Sequence, residues 1–301
     1  MAAILVVEGN TPEVVARTLE AGGIAAAENY ADVLAALAQR MGVRIETRIL
    51  RPSFPEFSMS EFARDAVAFE GVAGVVFTGS GVRWSADAPE AAAHRAVVER
   101  VFAAGIPAIG SCYGLQLAAT VLGGRVRWNP KGAELPIARE IRLTEAGRAH
   151  PLHDGRPAVF DCPCIHRDEV ADLPAGAVLT ATNAHSVVQA MVYEQGAVRF
   201  WGMQYHPEMA LADVARCMLR GRGAVMEGSA AIEPDPAVEA YIAVSDAPTT
   251  NAALMQRHSI APEVVDFAAR TAELDNWLRM VLAGATVADR AADRAADRAA
   301  E

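Results

Sequence analysis

Residues 110–114 read Gly-Ser-Cys-Tyr-Gly and place Cys112 inside a short run of small residues. An apolar run precedes them and a helical pattern follows, which predicts a tight strand-to-helix turn with a nucleophile at its tip. Such a turn exposes the sulfur at the carboxyl edge of a sheet, where the positive end of the helix dipole favours the thiolate. The backbone N–H of Tyr113 would face an oxyanion formed there. The alternative is a buried cysteine that packs at a glycine-rich turn.

A thiolate nucleophile needs a base, and the segment Gln204–Glu208 offers one. His206 follows an apolar run and precedes a helical pattern, so it is predicted at a second strand end, where the active sites of parallel sheets collect. In an extended segment Glu208, two residues on, shares one side with His206 and could orient the imidazole. Alone, His206 is more simply a surface histidine beside a helix start. Together with Cys112 it indicates a catalytic pair.

Strands and helices that alternate along the first half of the chain must position these residues. Apolar runs predict strands at Ile4–Val7, Val43–Leu50, Val72–Phe77 and Ile106–Gly110. Helical patterns lie between and after them, at Tyr30–Arg40, Glu61–Phe69, Pro89–Ala104 and Tyr113–Leu122. This alternation predicts a parallel, doubly wound sheet. Short β-rich segments over residues 126–200, separated by Gly, Pro and Asn, predict an antiparallel extension of the same sheet.

Composition narrows the class of protein. The 301 residues carry a formal net charge of −10, with 52% hydrophobic and 21% charged residues. This is a globular composition, and its negative charge argues against a nucleic-acid or membrane-surface partner, since both are polyanions. We find no apolar run long enough to span a bilayer and no basic segment typical of a signal peptide. Four cysteines in a chain of this length are not a disulfide framework, so we expect a cytoplasmic location with reduced thiols.

The two motifs resemble the signature pair of class I, triad-type glutamine amidotransferases. Cys112–Gln116 and Gln204–Glu208 carry the resemblance, which covers roughly residues 40–220 and is closest to the glutaminase domain of GMP synthase and its stand-alone relatives. It implies a flavodoxin-like doubly wound mixed sheet. It also implies a catalytic triad of Cys112, His206 and Glu208. The implied reaction is hydrolysis of the side-chain amide of glutamine through a γ-glutamyl thioester, which releases glutamate and ammonia.

The same resemblance implies further site residues. The turn after the third strand, with Gly79 and Ser80, corresponds to the family's oxyanion turn, and we expect the N–H groups of Ser80 and Tyr113 to form the oxyanion hole. Gly81 stands where the family usually has proline, which predicts a more flexible loop. The resemblance also implies that Gly79 and Gln116 contribute to substrate binding.

A strand-end segment gives two more substrate-binding candidates by resemblance, His166 and Arg167. Ile165 stands in place of the family's serine, so only main-chain contacts carry over from this segment. A structural role for His166 is equally consistent with the sequence.

We predict an amidotransferase domain over residues 1–222, and the pattern of the following residues predicts a helical C-terminal appendage over residues 223–286. The clearest helix of this appendage is predicted at Pro262–Leu282. Residues 287–301 repeat Ala-Asp-Arg-Ala with almost no apolar face, so we predict that this tail is disordered.

Other residues are weaker candidates. Cys162-Pro-Cys164 lacks the second pair that a zinc site needs, so we expect two semi-buried thiols and no metal. We expect His150 and His153 to be exposed loop histidines, and His185 to lie in a hairpin loop.

The sequence contains no nucleotide-binding loop such as G-x-x-x-x-G-K-[ST]. We therefore expect a glutaminase that partners a separate ATP-dependent synthase. We expect it to need no cofactor. The alternatives are a stand-alone hydrolase of another γ-glutamyl compound, and a non-catalytic binding or regulatory module.

Overall fold

Within the residues that the structure describes, nine strands form one mixed sheet and two more strands pair with each other in a separate sheet. The computed structural model describes residues 1–64, 69–220 and 236–285. The strands are β1 Ala3–Val7, β2 Glu46–Leu50, β3 Val72–Phe77, β4 Ala108–Ser111, β5 Arg125–Trp128, β6 Ile137–Leu143, β7 Val159–Pro163, β8 Asp168–Asp172, β9 Val178–Thr182, β10 Ala190–Gln195 and β11 Val198–Met203.

The described residues form twelve α-helices. They are α1 Pro12–Glu20, α2 Ala26–Arg40, α3 Met59–Arg64, α4 Ala92–Ala103, α5 Tyr113–Val121, α6 Glu145–Ala149, α7 Leu211–Arg220, α8 Pro236–Asp246, α9 Ala252–Arg257, α10 Pro262–Val265, α11 Phe267–Arg270 and α12 at 272–285. Within the described residues, no helix is long and apolar enough to cross a membrane.

The parallel half of the sheet positions the segments that carry the candidate site residues. β1 lies between β2 and β3, and β4 lies between β3 and β11, all in parallel pairing. All five positions of β1 are buried, as expected for a strand with helices on both faces. Because parallel strands end at the same edge, the segments that follow β1, β3, β4 and β11 are neighbours there.

One hydrophobic core lies on each face of the large sheet. On one face the core includes side chains of α2 and α12, and on the other it includes side chains of α4 and α5. The contact between α12 and β3 is close: a Cβ built on Gly74 would lie 2.9 Å from the ring of Trp277. Trp277 is fully buried, so α12 completes the core of the large sheet.

The second half of the sheet is antiparallel, with one departure from expectation. β11, β10, β9, β6 and β7 pair antiparallel in succession, as the sequence predicts. The prediction of one continuous extension is wrong for β5 and β8, which pair with each other outside the large sheet.

The C-terminal region is helical but more broken than the pattern predicts. Three helices replace the single one expected at Pro262–Leu282. The first break is at Asp266, whose carboxylate accepts a hydrogen bond from the Ala269 N–H at 2.7 Å and so starts α11. The domain boundary at residue 222 stays a prediction. The tail at 287–301 lies outside the described residues, and so does residue 223, with which the predicted appendage begins.

Candidate active site

Cys112 stands at the tip of a strained turn between β4 and α5. Its backbone has φ +49° and ψ −104°, a conformation that residues other than glycine rarely adopt. Its N–H donates to the carbonyl of Met203 at 2.7 Å, which holds the turn against β11. The turn can be this tight because its glycines leave room: a Cβ on Gly110 would lie 2.8 Å from the Gly114 backbone. The structure therefore has the strand–elbow–helix arrangement that the sequence predicts.

A hydrogen-bonded chain runs from α2 to His206. The Tyr30 hydroxyl donates to Ser111 Oγ at 2.8 Å, and Ser111 Oγ donates to Glu208 Oε1 at 3.0 Å. The same carboxylate oxygen accepts from His206 Nδ1 at 2.7 Å. All four side chains are buried. With Nδ1 donating to Glu208, the other ring nitrogen, Nε2, lies on the Cys112 side of the ring and 3.3 Å from the Ile165 carbonyl.

Electrostatics favour a charged imidazole here. Burial alone would lower the pKa of His206, but the Glu208 charge and a hydrogen bond with the Cys112 side chain raise it well above its usual range. Burial, reinforced by the Glu208 charge, raises the pKa of Tyr30 well above its ordinary value. Tyr30 therefore stays protonated and acts as a donor.

The loop after β3 approaches His206 closely. A Cβ built on Gly79 would lie 2.5 Å from Cε1 of the His206 ring, so a side chain at this position would displace the imidazole. The sequence places Gly79 at the site, and the structure adds a steric reason for a glycine there.

The neighbouring Ser80 and Gly81 form hydrogen bonds with the segment that follows β1. The Gly81 N–H donates to Asn10 Oδ1 at 2.8 Å, and Ser80 Oγ donates to the Gly9 carbonyl at 2.8 Å. Tyr113 occupies the first turn of α5, where a backbone N–H has no partner within the helix. The loop is thus tied down, against the expectation of a more flexible segment at Gly81.

Gln116 and Arg167 border the pocket, but both side chains are already engaged. Gln116 Nε2 donates to the Asp168 carbonyl at 2.9 Å. The Arg167 guanidinium pairs with the Asp168 carboxylate at 2.8 Å, donates to the Arg83 carbonyl and stacks over Trp128. Their predicted roles in substrate binding remain predictions.

His166 is buried within the scaffold of the site. Its Nδ1 donates to the Asp168 carbonyl at 2.9 Å, and its Nε2 lies 2.9 Å from Glu134 Oε2. Both ring nitrogens are therefore engaged, which fits the structural role that the sequence leaves open. The carbonyl of Ile165 lies 3.7 Å from Cys112 Sγ, so the main chain of this segment borders the nucleophile.

Within the described part of the chain, Glu134, Cys164 and His166 form the one group of side chains close enough to share a metal ion. Hydrogen bonds already account for the group: His166 bonds Glu134, and the Cys164 thiol donates to the Glu134 carbonyl at 3.5 Å. Cys162 and Cys164 are fully buried rather than semi-buried, and burial raises the pKa of both thiols. That the site needs no metal or cofactor stays a prediction.

A pocket opens around the candidate residues. Gln116 and Arg167 contribute to one wall, and Ile24 and Met209 contribute to the wall near α1, α2 and α7. Cys112 and His206 lie in the lining between them. The candidate nucleophile and base therefore lie in one pocket.

A buried ionic network lies behind the site. Glu273 on α12 accepts from Arg156 at 2.6 Å and from the hydroxyl of Tyr205, the residue before His206, at 2.8 Å. His153 is 3% exposed and lies 3.4 Å from the same carboxylate, so its expected exposure is wrong. Burial would raise the pKa of Glu273, but the Arg156 charge lowers it to about 2.

Sequence reasoning missed three supporting residues, Asn10, Tyr30 and Ser111. Ser111 carried a signal, because a hydroxyl in a buried strand end next to Cys112 needs a partner. Tyr30 and Asn10 carried weaker signals, since their partners lie more than 65 residues away along the chain.

Fold and site together describe an α/β enzyme of the class I amidotransferase type, with a cysteine elbow at the carboxyl edge of a mixed sheet. A sequence model of the family described as "Glutamine amidotransferase class-I" matches residues 26–221, more than half of the chain. The chain belongs to the class I glutamine amidotransferase family, and the predicted family and fold class are confirmed.

Relatives agree with this assignment. A γ-glutamyl-L-1-hydroxyisopropylamide hydrolase of a Pseudomonas species is 33% identical over 230 residues, spanning 75% of this chain and 74% of the relative. A glutamine-hydrolysing GMP synthase of Thermomicrobium roseum is 35% identical over 120 residues, which span 40% of this chain and 21% of that protein. A solved glutamine amidotransferase from Thermotoga maritima has a TM-score of 0.55 at 18% identity, covering 93% of this chain and 98% of that one, and shows the fold alone. The chain is thus an enzyme of the amidotransferase and hydrolase class.

Proposed function

We propose that this protein hydrolyses γ-glutamyl amides through a thioester on Cys112. The observation that carries the proposal is the convergence of Cys112, His206 and Glu208 on one pocket, with a 2.7 Å hydrogen bond from His206 to Glu208. An elbow nucleophile, a base and a carboxylate that orients the base are the parts that covalent amide hydrolysis requires.

The proposed reaction has two halves. His206 takes the proton of the Cys112 thiol, the sulfur bonds to the amide carbon, and the carbonyl electron pair moves to oxygen. When the C–N bond breaks, His206 gives its proton to the leaving amine and a γ-glutamyl thioester remains. Water then loses a proton to His206 and attacks the thioester, the C–S bond breaks, and glutamate leaves as the thiol regains its proton.

The negative oxygen formed in each half needs donors. The backbone N–H groups of Ser80 and Tyr113 are the proposed pair, since the loop after β3 and the start of α5 flank Cys112. Removing one such donor in other enzymes costs about 10²–10³ in rate.

We propose that the leaving amine carries a small substituent. Because His206 protonates the departing nitrogen, the amine must lie on the His206 side of the sulfur. Asn29, which donates to the Glu208 carbonyl at 3.2 Å, lines the same pocket as His206, and so do Ile24 and Met209. Ile24 is 47% exposed, an apolar surface that a substituent would cover. The Pseudomonas relative, whose name specifies a substituted amide, supports the same choice.

A second candidate is the glutaminase of a separate ATP-dependent synthase. It is supported by the GMP synthases, which resemble this chain over 21% of the Thermomicrobium protein's length. The reduced state of all four cysteines suits a cytoplasmic enzyme in either case, and that location stays a proposal.

A substrate panel separates these functions. Purified protein is incubated with L-glutamine and with γ-glutamyl methyl-, ethyl- and isopropylamide, and ammonia or amine release is measured. We expect kcat/KM for the best alkylamide to exceed that for glutamine by at least about 10-fold, since each buried methylene contributes about 0.8 kcal/mol. A preference for glutamine supports the synthase-linked glutaminase instead.

The Cys112→Ala protein is the control for mechanism. We expect its turnover to fall at least about 10³-fold, with an unchanged melting temperature. Full activity without the Cys112 sulfur would exclude the thioester, and a wild-type protein inert toward the whole panel would favour a non-catalytic module.

A further inference from the structure

Asn10 contacts the loop that presents Ser80. Its Oδ1 accepts from the Gly81 N–H at 2.8 Å and lies 3.2 Å from Ser80 Oγ, whose proton is shared with the nearer Gly9 carbonyl at 2.8 Å. The Gly81 N–H belongs to the peptide unit that follows Ser80, so its bond to Asn10 restrains the backbone torsions of Ser80 and through them the direction of the Ser80 N–H. A glycine that follows the donor has no side chain to restrict the backbone, and the contact with Asn10 supplies that restriction.

Asn10 is itself held rigidly. Its Nδ2 donates to Glu8 Oε1 at 2.7 Å and its backbone N–H donates to the same oxygen at 3.0 Å. The other oxygen of Glu8 accepts from the Ala27 N–H at 2.9 Å, at the start of α2. Glu8 and Asn10 are 0% and 5% exposed. Because the amide group donates to Glu8, its oxygen necessarily faces the loop.

We propose that Asn10 is a positioning residue that sets the Ser80 N–H for the oxyanion, an inference that rests on the proposed hydrolysis. Asn10 precedes residues 26–221, the stretch that the family model matches. The support for one half of the oxyanion hole thus comes from the segment after β1, through a chain of buried hydrogen bonds that begins at Glu8.

The test compares Asn10→Ala with wild type on whichever panel substrate the wild type hydrolyses fastest. We expect kcat to fall about 10- to 100-fold, less than the loss of a whole oxyanion donor, with KM changed less than about 3-fold. A matched control is Asn251→Ala, which removes another amide that donates to backbone carbonyls, here at the end of α8. We expect the control to keep wild-type kcat.

Alkylation of Cys112 by iodoacetamide separates positioning of the loop from damage to the thiol. Alkylation forms no oxyanion, so its rate in Asn10→Ala should equal that of wild type. Amide hydrogen exchange at residues 79–82 should become faster, while exchange at residues 110–116 stays unchanged. An unchanged kcat, or an alkylation rate that falls together with kcat, overturns the proposal.

Two further outcomes are distinguishable. If Asn10→Ala does not fold, Asn10→Ser, whose side chain is too short to span the same contacts, is measured in its place with the same expected losses. If the wild type hydrolyses nothing in the panel, or if Cys112→Ala stays active, the proposed function itself has failed. A wild type that is active, together with inactive Cys112→Ala and fully active Asn10→Ala, refutes the role of Asn10 alone.

Discussion

The Ser111 hydroxyl joins α2 to the carboxylate that orients His206, since it accepts from Tyr30 and donates to Glu208. In Ser111→Ala the Glu208 oxygen loses one of its two donors, and the buried Tyr30 hydroxyl loses its acceptor. We expect kcat to fall about 10-fold with KM nearly constant, because an orienting contact acts mainly on the transition state. Steady-state kinetics beside Ser60→Ala, an exposed serine on α3, checks this, and equal kcat in both variants would contradict it.

Thiol chemistry at the residue scale should single out Cys112. It borders the pocket at the start of α5, whereas Cys162 and Cys164 are fully buried and burial raises the pKa of both thiols. We expect brief iodoacetamide treatment near neutral pH to label Cys112 before the others. Cys217 also lines the pocket, but it lies within α7 and not at a helix N-terminus, so the helix dipole does not favour its thiolate. Peptide mapping by mass spectrometry measures this, with the urea-unfolded protein as the control in which all four react alike. Equal labelling in the folded protein would speak against an activated thiol.

At the scale of elements, the loop after β3 tests how closely two strand ends must fit. In Gly79→Ala the new Cβ would lie 2.5 Å from the His206 ring, so either the loop or the imidazole must shift. A displacement of about 1 Å in a catalytic group costs about 10²-fold, and we expect at least that loss in kcat/KM. Gly284→Ala on α12 is the matched control, because a Cβ there meets nothing within 4 Å. Activity retained in Gly79→Ala would mean that the loop can move away from the His206 ring without disturbing the site.

Elements with a strong local pattern could be predicted, and those whose form depends on distant partners could not. Cys112 and His206 each lie in a short motif after an apolar strand, so their shared edge followed from the sequence. Helix α1 was missed although Thr11 caps it and a proline follows. The separate pairing of β5 with β8 has no local signal, because a strand's sequence does not name its partner.

At the scale of the whole molecule, Glu273 links α12 to the segment that carries His206. The pKa of folded Glu273 is about 2 against an ordinary 4.5, so its contribution to stability is complete above about pH 5 and is lost as pH falls toward 2. In Glu273→Gln the buried Arg156 loses its partner, and we expect unfolding free energy to fall by about 3–5 kcal/mol at neutral pH. The acid dependence between pH 5 and 2 should also weaken.

Urea unfolding at several pH values measures both effects. Glu46→Gln removes an exposed ion pair with Arg48 and should change nothing measurable. A Glu273→Gln protein as stable as wild type would show that the buried network contributes no net stability.

Long-range packing set the limit of prediction for the whole molecule. The sequence indicated a helix near Trp277 but not that this helix covers β3, because the contact depends on Gly74, about 200 residues earlier in the chain. Likewise Arg156 and Glu273, 117 residues apart, show no pattern that pairs them.

The position of α12 also bears on how the protein is made. Of the described strands, β1 is synthesised first and β3 follows soon after it. The apolar face of β3 that α12 covers stays exposed until α12, the last described element, has been synthesised. Nascent chains should therefore expose the hydrophobic surface of an incomplete core through most of translation, and chaperones bind surfaces of this kind. A premature stop before residue 272 would leave that surface permanently bare, even though every candidate catalytic residue had already been translated.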